Sequence, residues 1–262
     1  MKERGGTPES VDAAPGVVMA EHVDSAGYTN VRGFDQRFLV RTFYVFIVLA
    51  VASALIAMAG RWLGPSIAKG GYSDDPALRE IVIGNNVLSV PANAIRFAQA
   101  RHDGVAARLD LYLRWPDLTG YTDNARDDFN GTNGRKDILF LTLEPQTMSH
   151  DMSGRFQPIY SSLIVEPGKS EGNGVTLYDF KPDTGYLNEV LAVGRRAGGE
   201  PFVARCLAAA AGQESLAPCQ RDVLVGNALS LNYRFPRGLL ANWQALDAAI
   251  VAKAGSFIRT DD

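Results

Sequence analysis

The sequence predicts an α+β fold, in which a single N-terminal transmembrane helix precedes a mainly antiparallel sheet domain packed by a C-terminal helix. Three patterns support this fold class. One uncharged run is long enough to cross a bilayer. Several later segments alternate apolar and polar residues, as strands with one covered face do. The last segment repeats apolar residues at helical spacing, and few helical patterns interrupt the strands, so the sheet does not require parallel crossovers.

The uncharged run Thr42–Gly60 is 19 residues long and lies between Arg41 and Arg61. As a helix it spans roughly 28 Å, close to the thickness of a bilayer's hydrocarbon core. A buried helix of a soluble protein is disfavoured because the run has no polar face. A cleaved signal peptide is a second alternative, since an A-x-A pattern at 57–59 precedes Gly60. The long region before the run and the length of the run itself favour an uncleaved anchor.

Basic residues before the apolar run predict its direction across the membrane. Arg32, Arg37 and Arg41 precede the run, whereas Arg61 and Lys69 follow it more sparsely. Basic residues near a span stay preferentially in the cytoplasm. We therefore predict a bacterial inner-membrane protein with a cytoplasmic N-terminus and a periplasmic C-terminal domain. The predicted segments are a disordered tail with a basic end at 1–41, the transmembrane helix at 42–62, a linker at 63–78 and the α+β domain at 79–262.

The two cysteines, Cys206 and Cys219, agree with this direction. A domain outside the cytoplasm faces an oxidising compartment, where such a pair forms a disulfide. They flank a loop between two apolar stretches, and no histidine or third cysteine lies near enough to suggest zinc. We therefore predict a disulfide between them.

Strands are predicted where β-rich or alternating residues occur. The clearest is 108–115, in which Leu109, Leu111 and Leu113 face one way and the intervening residues the other. The full set of predicted strands is 80–84, 87–90, 108–115, 138–143, 174–180, 189–193, 202–206, 221–225 and 228–235. Helices are predicted at 92–101, after Pro91, at 152–163 and, with the strongest periodicity, at 237–257.

The polar loop 116–137 and the strand end before it carry the candidate binding residues. These are Arg114, Trp115, Tyr121, Asp127 and Asp128. The acidic and amide side chains of this loop resemble calcium ligands, but the spacing fails the EF-hand pattern, because position 12 of the aligned loop is a leucine. Asp, Asn and Gly are also the commonest turn residues, so a solvated loop is the favoured interpretation. No metal or cofactor is predicted.

No catalytic motif stands out in the sequence. The tripeptide Ser149-His150-Asp151 has the residue types of a triad, but consecutive side chains do not converge on one reacting atom. His102 and His150 are the candidate general bases of a hydrolase. The S-x-x-K match at 66–69 falls in the predicted linker. The sequence therefore favours a non-enzymatic protein, and an enzyme remains the alternative.

Composition narrows the possible partners. The chain has 26 basic and 29 acidic residues and a net charge of −3. This balance does not indicate a nucleic-acid partner, which usually requires a basic patch. The layout resembles that of bitopic envelope proteins of bacteria, a resemblance that transfers no function. The favoured hypothesis is a single-pass membrane protein whose outer domain binds or scaffolds a protein of the cell envelope. The alternatives are a periplasmic hydrolase and a calcium- or ligand-binding sensor.

Overall fold

A computed structural model describes residues 36–68, 70–132, 134, 137–212 and 214–259. The predicted disordered tail lies almost wholly outside these residues. The described chain has the predicted α+β class: one long apolar N-terminal helix, mainly antiparallel sheets and a C-terminal helix. The described residues divide into two compact units, one up to residue 57 and one from residue 58 onward.

The N-terminal helix α1, Gln36–Ala68, includes the predicted span. Its stretch Gln36–Arg61 is long and apolar enough to cross a membrane, and it is the one such helix among the described residues. Its large apolar side chains, such as Phe46 and Ile56, are exposed rather than covered by protein. These properties fit a membrane span or a signal sequence.

The strands form two sheets within residues 58–262. A four-stranded sheet has the order β12-β2-β1-β3, and an eight-stranded sheet has the order β4-β5-β11-β10-β9-β8-β7-β6. Every described pairing is antiparallel except that of β1 with β3. The strands are β1 Leu78–Ile83, β2 Asn86–Pro91, β3 Gly104–Val105, β4 Leu109–Arg114, β5 Ile138–Pro145, β6 Lys169–Gly172, β7 Val175–Asp179, β8 Glu189–Gly194, β9 Phe202–Leu207, β10 Cys219–Val225, β11 Leu229–Phe235 and β12 Ile258–Arg259.

The remaining helices are short except the last. They are α2 Arg126–Asn130, α3 Ser161–Leu163, α4 Ala209–Gly212 and α5 Trp243–Phe257. All nine predicted strands are confirmed. The sequence missed β3, β6 and β12, which are too short to show an alternating pattern. The predicted C-terminal helix is confirmed from Trp243, and its first six residues form a 3₁₀ turn instead.

The predicted helix at 92–101 is wrong. The segment forms two 3₁₀ turns, Ala92–Ala94 and Ala98–Ala100, separated by an extended stretch. In that stretch Ile95 forms a β-bridge with Leu111, and the Arg96 amide donates to the Asp110 carbonyl at 2.9 Å. Bonding to the edge strand β4 therefore replaces the helical hydrogen bonds. The predicted helix at 152–163 is confirmed only at its end, where a π-helical turn, Phe156–Tyr160, leads into α3.

The main core lies on one face of the eight-stranded sheet and includes residues of both sheets and α5. From α5, Leu246, Ile250 and Ala254 are fully buried at helical spacing. They pack in one cluster with strand residues such as Leu88 and Leu231. Burial of this apolar stripe, worth roughly 1.5–3 kcal/mol for each large side chain, holds the C-terminal helix in place.

A buried charge network joins α5 to the sheet. Arg221 of β10 is 2% exposed, and its Nε donates to the Asp247 carboxylate of α5 at 3.0 Å. Tyr233 of β11 and Arg196 bond the same carboxylate. Burial raises the pKa of Tyr233 well above its usual value, so its hydroxyl stays protonated and donates to Asp247. The network therefore fixes α5 against two central strands.

The predicted disulfide between Cys206 and Cys219 is confirmed. The two residues are directly opposite each other on β9 and β10, with Cα atoms 3.9 Å apart. The bond closes the connection between these strands, which includes α4.

Removing Asp247 should destabilise the fold strongly. The variant Asp247→Ala leaves Arg221 buried without a counter-charge, so we expect the free energy of unfolding to fall by about 3–5 kcal/mol in urea denaturation. Asp183→Ala, in an exposed turn, is the matched control and should change little. Equal stability of the two single variants would contradict this role.

Removing the disulfide should also lower stability. The two cysteines are 13 residues apart, and we expect Cys206→Ser with Cys219→Ser to cost about 3 kcal/mol, because the unfolded chain gains freedom. Urea denaturation measures the loss. A reductant should reproduce it in the unaltered chain and leave the double variant unaffected, whereas equal stability with and without reductant would argue against a stabilising bond.

Candidate functional site

The face of the eight-stranded sheet opposite the core carries the candidate site. On β4, Leu109, Leu111 and Leu113 face the core, as their alternation predicts. Tyr112 faces the other way, yet it is only 2% exposed. The sequence predicted that this side of the strand would be open. A second, aromatic cluster covers it.

The aromatic cluster consists of Tyr72, Tyr112, Tyr121 and Phe129. The rings of Tyr72 and Tyr121 stack with centroids 4.8 Å apart, and Phe129 meets both edge-on. The Tyr72 hydroxyl donates to the Phe129 carbonyl at 3.0 Å. Burial raises the pKa of Tyr72 and Tyr112. Tyr72 comes from the segment predicted as a linker, so part of that segment packs on the sheet.

The polar loop is held in place by hydrogen bonds to Asn93, which lies in the 3₁₀ turn after β2. The Tyr121 amide donates to the Asn93 carbonyl at 2.9 Å, and the Asn93 side chain donates to the Tyr121 carbonyl at 3.0 Å. Gly120 lies so close to Asn93 that a Cβ atom would be 2.6 Å from its backbone. Only glycine permits this approach, which places Tyr121 in the aromatic cluster.

Beside the cluster lies a cavity of about 500 Å³, here called the aromatic groove. Its walls include Tyr72, Phe97, Phe129, Phe140 and Leu216. Phe97 and Leu216 are 41% and 50% exposed, so apolar surface is open to solvent at the mouth. A mostly apolar concavity of this volume is the usual form of a ligand or side-chain pocket.

Arg101 holds two walls of the groove together. Its guanidinium donates to the Gly71 carbonyl at 2.8 Å and to the Arg96 carbonyl at 3.2 Å, and its Nε donates to the Ile95 carbonyl at 3.0 Å. The wall at 95–97 and the wall at 70–72 are therefore joined by one side chain, and the groove is preformed.

Arg96 is the cation of the groove. Its guanidinium lies 5.1 Å from the ring centroid of Phe97 and 5.0 Å from that of Phe140. The side chain is exposed and forms no ion pair within the described part of the chain. An unpaired guanidinium over two rings can bind an anion while the rings contact an apolar group.

The acidic side chains of the polar loop are paired within the protein. Arg114 forms ion pairs with Asp117 and, at 3.0 Å, with Asp128. Arg114 in turn holds the pKa of the Asp117 carboxyl below its usual value. The Asp127 carboxylate accepts a hydrogen bond from the Thr132 hydroxyl at 3.1 Å. Among the residues with described side chains, no group of three His, Cys, Asp or Glu could hold a metal ion.

The structure places one of the five predicted binding residues, Asp128, in the lining of the groove. Arg114 holds the Asp128 carboxylate in place through a hydrogen bond. Trp115 packs against the main core, and Tyr121 is buried in the aromatic cluster rather than presented at the surface. Asp127 is exposed outside the groove.

Sequence reasoning missed the other groove residues. The helix predicted over 92–101 includes Arg96 and Phe97, and Phe140 falls within the predicted strand 138–143. An arginine next to a phenylalanine before a polar turn was the one available signal. It is common in ordinary surfaces and therefore uninformative alone.

The candidate general bases are not assembled into a catalytic group. His102 and His150 are both exposed, and the ring Nδ1 of His102 contacts the Asp103 carbonyl at 2.9 Å. The Asp151 carboxylate accepts from the Gly154 amide at 3.0 Å. In the described ranges, neither imidazole is hydrogen-bonded to a carboxylate.

Comparisons with known proteins find a weak structural similarity and no sequence match. No family model matches the sequence, and no curated protein matches it. An immunity protein of the Stenotrophomonas maltophilia type IV secretion system is similar in structure, with 14% identity, a TM-score of 0.47, and coverage of 72% of this chain and 95% of that chain. The Neisseria meningitidis iron-regulated outer membrane lipoprotein FrpD has 9% identity, a TM-score of 0.41, and coverage of 71% and 95%. Neither likeness is close enough to argue function.

Calcium should not stabilise this protein. Because Arg114 already pairs with Asp117 and Asp128, we expect added Ca²⁺ to leave the melting temperature unchanged in differential scanning calorimetry. An ion that binds only the folded state must raise that temperature. Arg114→Gln, which releases both carboxylates, is the comparison variant. A rise in the unaltered protein would restore the calcium-sensor hypothesis.

Proposed function

We propose that this protein is a single-pass inner-membrane protein whose periplasmic domain binds another protein of the cell envelope at the aromatic groove. The observation that carries the proposal is the exposed guanidinium of Arg96, which lies over the rings of Phe97 and Phe140 and has no ion-pair partner among the described residues. We infer that the partner presents an apolar side chain beside a carboxylate.

The chemistry of the groove supports this kind of partner. An apolar side chain can displace water from the exposed edges of Phe97 and Leu216. A neighbouring carboxylate can then pair with the Arg96 guanidinium, which lies over the two rings. Aromatic residues and arginine are the residue types that most often dominate binding energy at protein interfaces. Because Arg101 preforms the groove, little conformational entropy is lost on binding.

The proposed topology has support from α1 and the cysteines. Arg37 and Arg41 lie at the N-terminal end of the apolar stretch, which favours a cytoplasmic N-terminus. The disulfide between Cys206 and Cys219 suits an oxidising compartment for the other end. A membrane anchor raises the effective concentration of the domain near a partner in the same envelope. A groove with modest affinity for the partner is therefore sufficient for association.

Reversing the charge of Arg96 should disrupt binding. With a photo-crosslinking residue at Gln99, which lines the groove, we expect a discrete adduct in intact cells, identified by mass spectrometry. Arg96→Glu should reduce its yield about tenfold, because a carboxylate would meet a like charge.

Arg195→Glu is the matched control, since Arg195 is exposed and lies outside the groove. The same crosslinker at Glu80, which is exposed on β1, controls for random collisions. An adduct that forms equally from both positions, or one unaffected by Arg96→Glu, would contradict the proposed groove.

A further inference from the structure

The same sheet face carries a second concavity, distinct from the aromatic groove. It is a polar cleft of about 330 Å³ above the central strands. Glu144 of β5, Ser230 and Asn232 of β11, and Gln220 of β10 form its floor. Ser230 is directly opposite Glu144, and Asn232 is opposite Asp222, so these side chains share one face. The cleft lies between the aromatic cluster at β4–β5 and a second apolar cluster over β8–β9, formed by Met152, Tyr160, Ile164, Leu191, Val193 and Val203.

The floor of the cleft has unused hydrogen-bonding capacity. Glu144, Gln220, Ser230 and Asn232 are half-buried, and within the described ranges their side chains form no hydrogen bond to the protein. The two amide groups each offer donors and an acceptor, the same set that a peptide group requires. Four such neighbours across three adjacent strands provide a continuous polar surface for a ligand.

The cleft also has a wall that is partly shielded from water. The ion pair between Arg155 and Asp222 borders it, with each side chain less than a fifth exposed. Burial raises the pKa of the Asp222 carboxyl. Met152 and Tyr160 of the second apolar cluster complete this side. Polar contacts made here are screened less than those on an open surface.

Charges of opposite sign lie at the two ends of the cleft. Glu144 forms no ion pair in the described chain. Arg205 of β9 has a buried Nε without a hydrogen-bond partner among the described residues, and its Nη1 forms an ion pair with the Glu189 carboxylate at 3.5 Å. β5 and β9 are three strand spacings apart, about 14 Å across the sheet. The register also places Glu144 level with Leu224 of β10 and Arg205 level with Gln220, four residues away, which adds about 13 Å along the strands. The two Cα atoms are therefore about 20 Å apart, and side chains that extend toward each other leave a gap comparable to a short peptide.

We propose that the polar cleft binds a short peptide with free termini, with its amino group at Glu144 and its carboxylate at Arg205. Asn232 and Gln220 bond the peptide groups between the termini. Leu224, which is 39% exposed beside the cleft, contacts a small apolar side chain. This inference does not depend on the aromatic groove.

The test uses the full chain in detergent and three forms of trialanine: unmodified, N-acetylated and C-amidated. Isothermal titration calorimetry should detect the unmodified peptide, and each modification should weaken binding about tenfold, because each removes one charge-assisted hydrogen bond. Glu144→Gln should weaken the unmodified peptide by a similar factor and abolish the effect of acetylation. Arg205→Gln should likewise abolish the effect of amidation.

Glu80→Gln and Arg195→Gln are the matched controls, since both residues are exposed and neither lines the cleft. They should bind all three peptides as the unaltered chain does. Unchanged melting temperatures of the cleft variants exclude misfolding as the cause. Failure of unmodified trialanine to bind, or equal binding of the three forms, overturns the proposal.

Discussion

The arrangement of both sheet faces depends on one buried cation, Arg221. The ladder between β9 and β10 has only two described register pairs, ending at Gln220. Beyond that point the Val203 carbonyl lacks a partner on β10, and the Arg221 guanidinium donates to it at 2.9 Å. The same side chain bonds Ser153, at 3.0 Å, and Asp247. One residue therefore closes a split in the sheet, anchors α5 on the core side and holds the segment that borders the polar cleft.

The cost of burying this charge explains why so many groups surround it. An isolated guanidinium in the interior is unfavourable by several kcal/mol, so it persists only with a full set of acceptors. Asp247, Ser153 and the Val203 carbonyl supply them, and the ring of Phe202 lies 4.9 Å below the guanidinium. The geometry of these acceptors specifies one position for α5, which the apolar stripe alone does not.

The two concavities on the outer face have different physical origins. The aromatic groove arises because a loop and a segment after α1 bring Tyr121 and Tyr72 over the exposed side of β4. The polar cleft arises because the middle strands are left uncovered between two clusters. Apolar contacts dominate the first and hydrogen-bonding capacity the second, so the ligands that we propose for them differ in kind.

Local patterns in the sequence determined the apolar span, nine strands, the disulfide pair and the C-terminal helix. Each follows from the spacing of residues that are close together in the sequence, or from the chemistry of particular side chains such as the two cysteines. Tertiary structure alone decided that 92–101 forms two 3₁₀ turns with a bridge to β4 between them instead of a helix, because its backbone finds partners outside the segment. It also decided the burial of Tyr121, the exposure of Arg96 and the pairing of Arg221 with Asp247. These depend on contacts between distant segments, and no local pattern encodes which distant segments will meet.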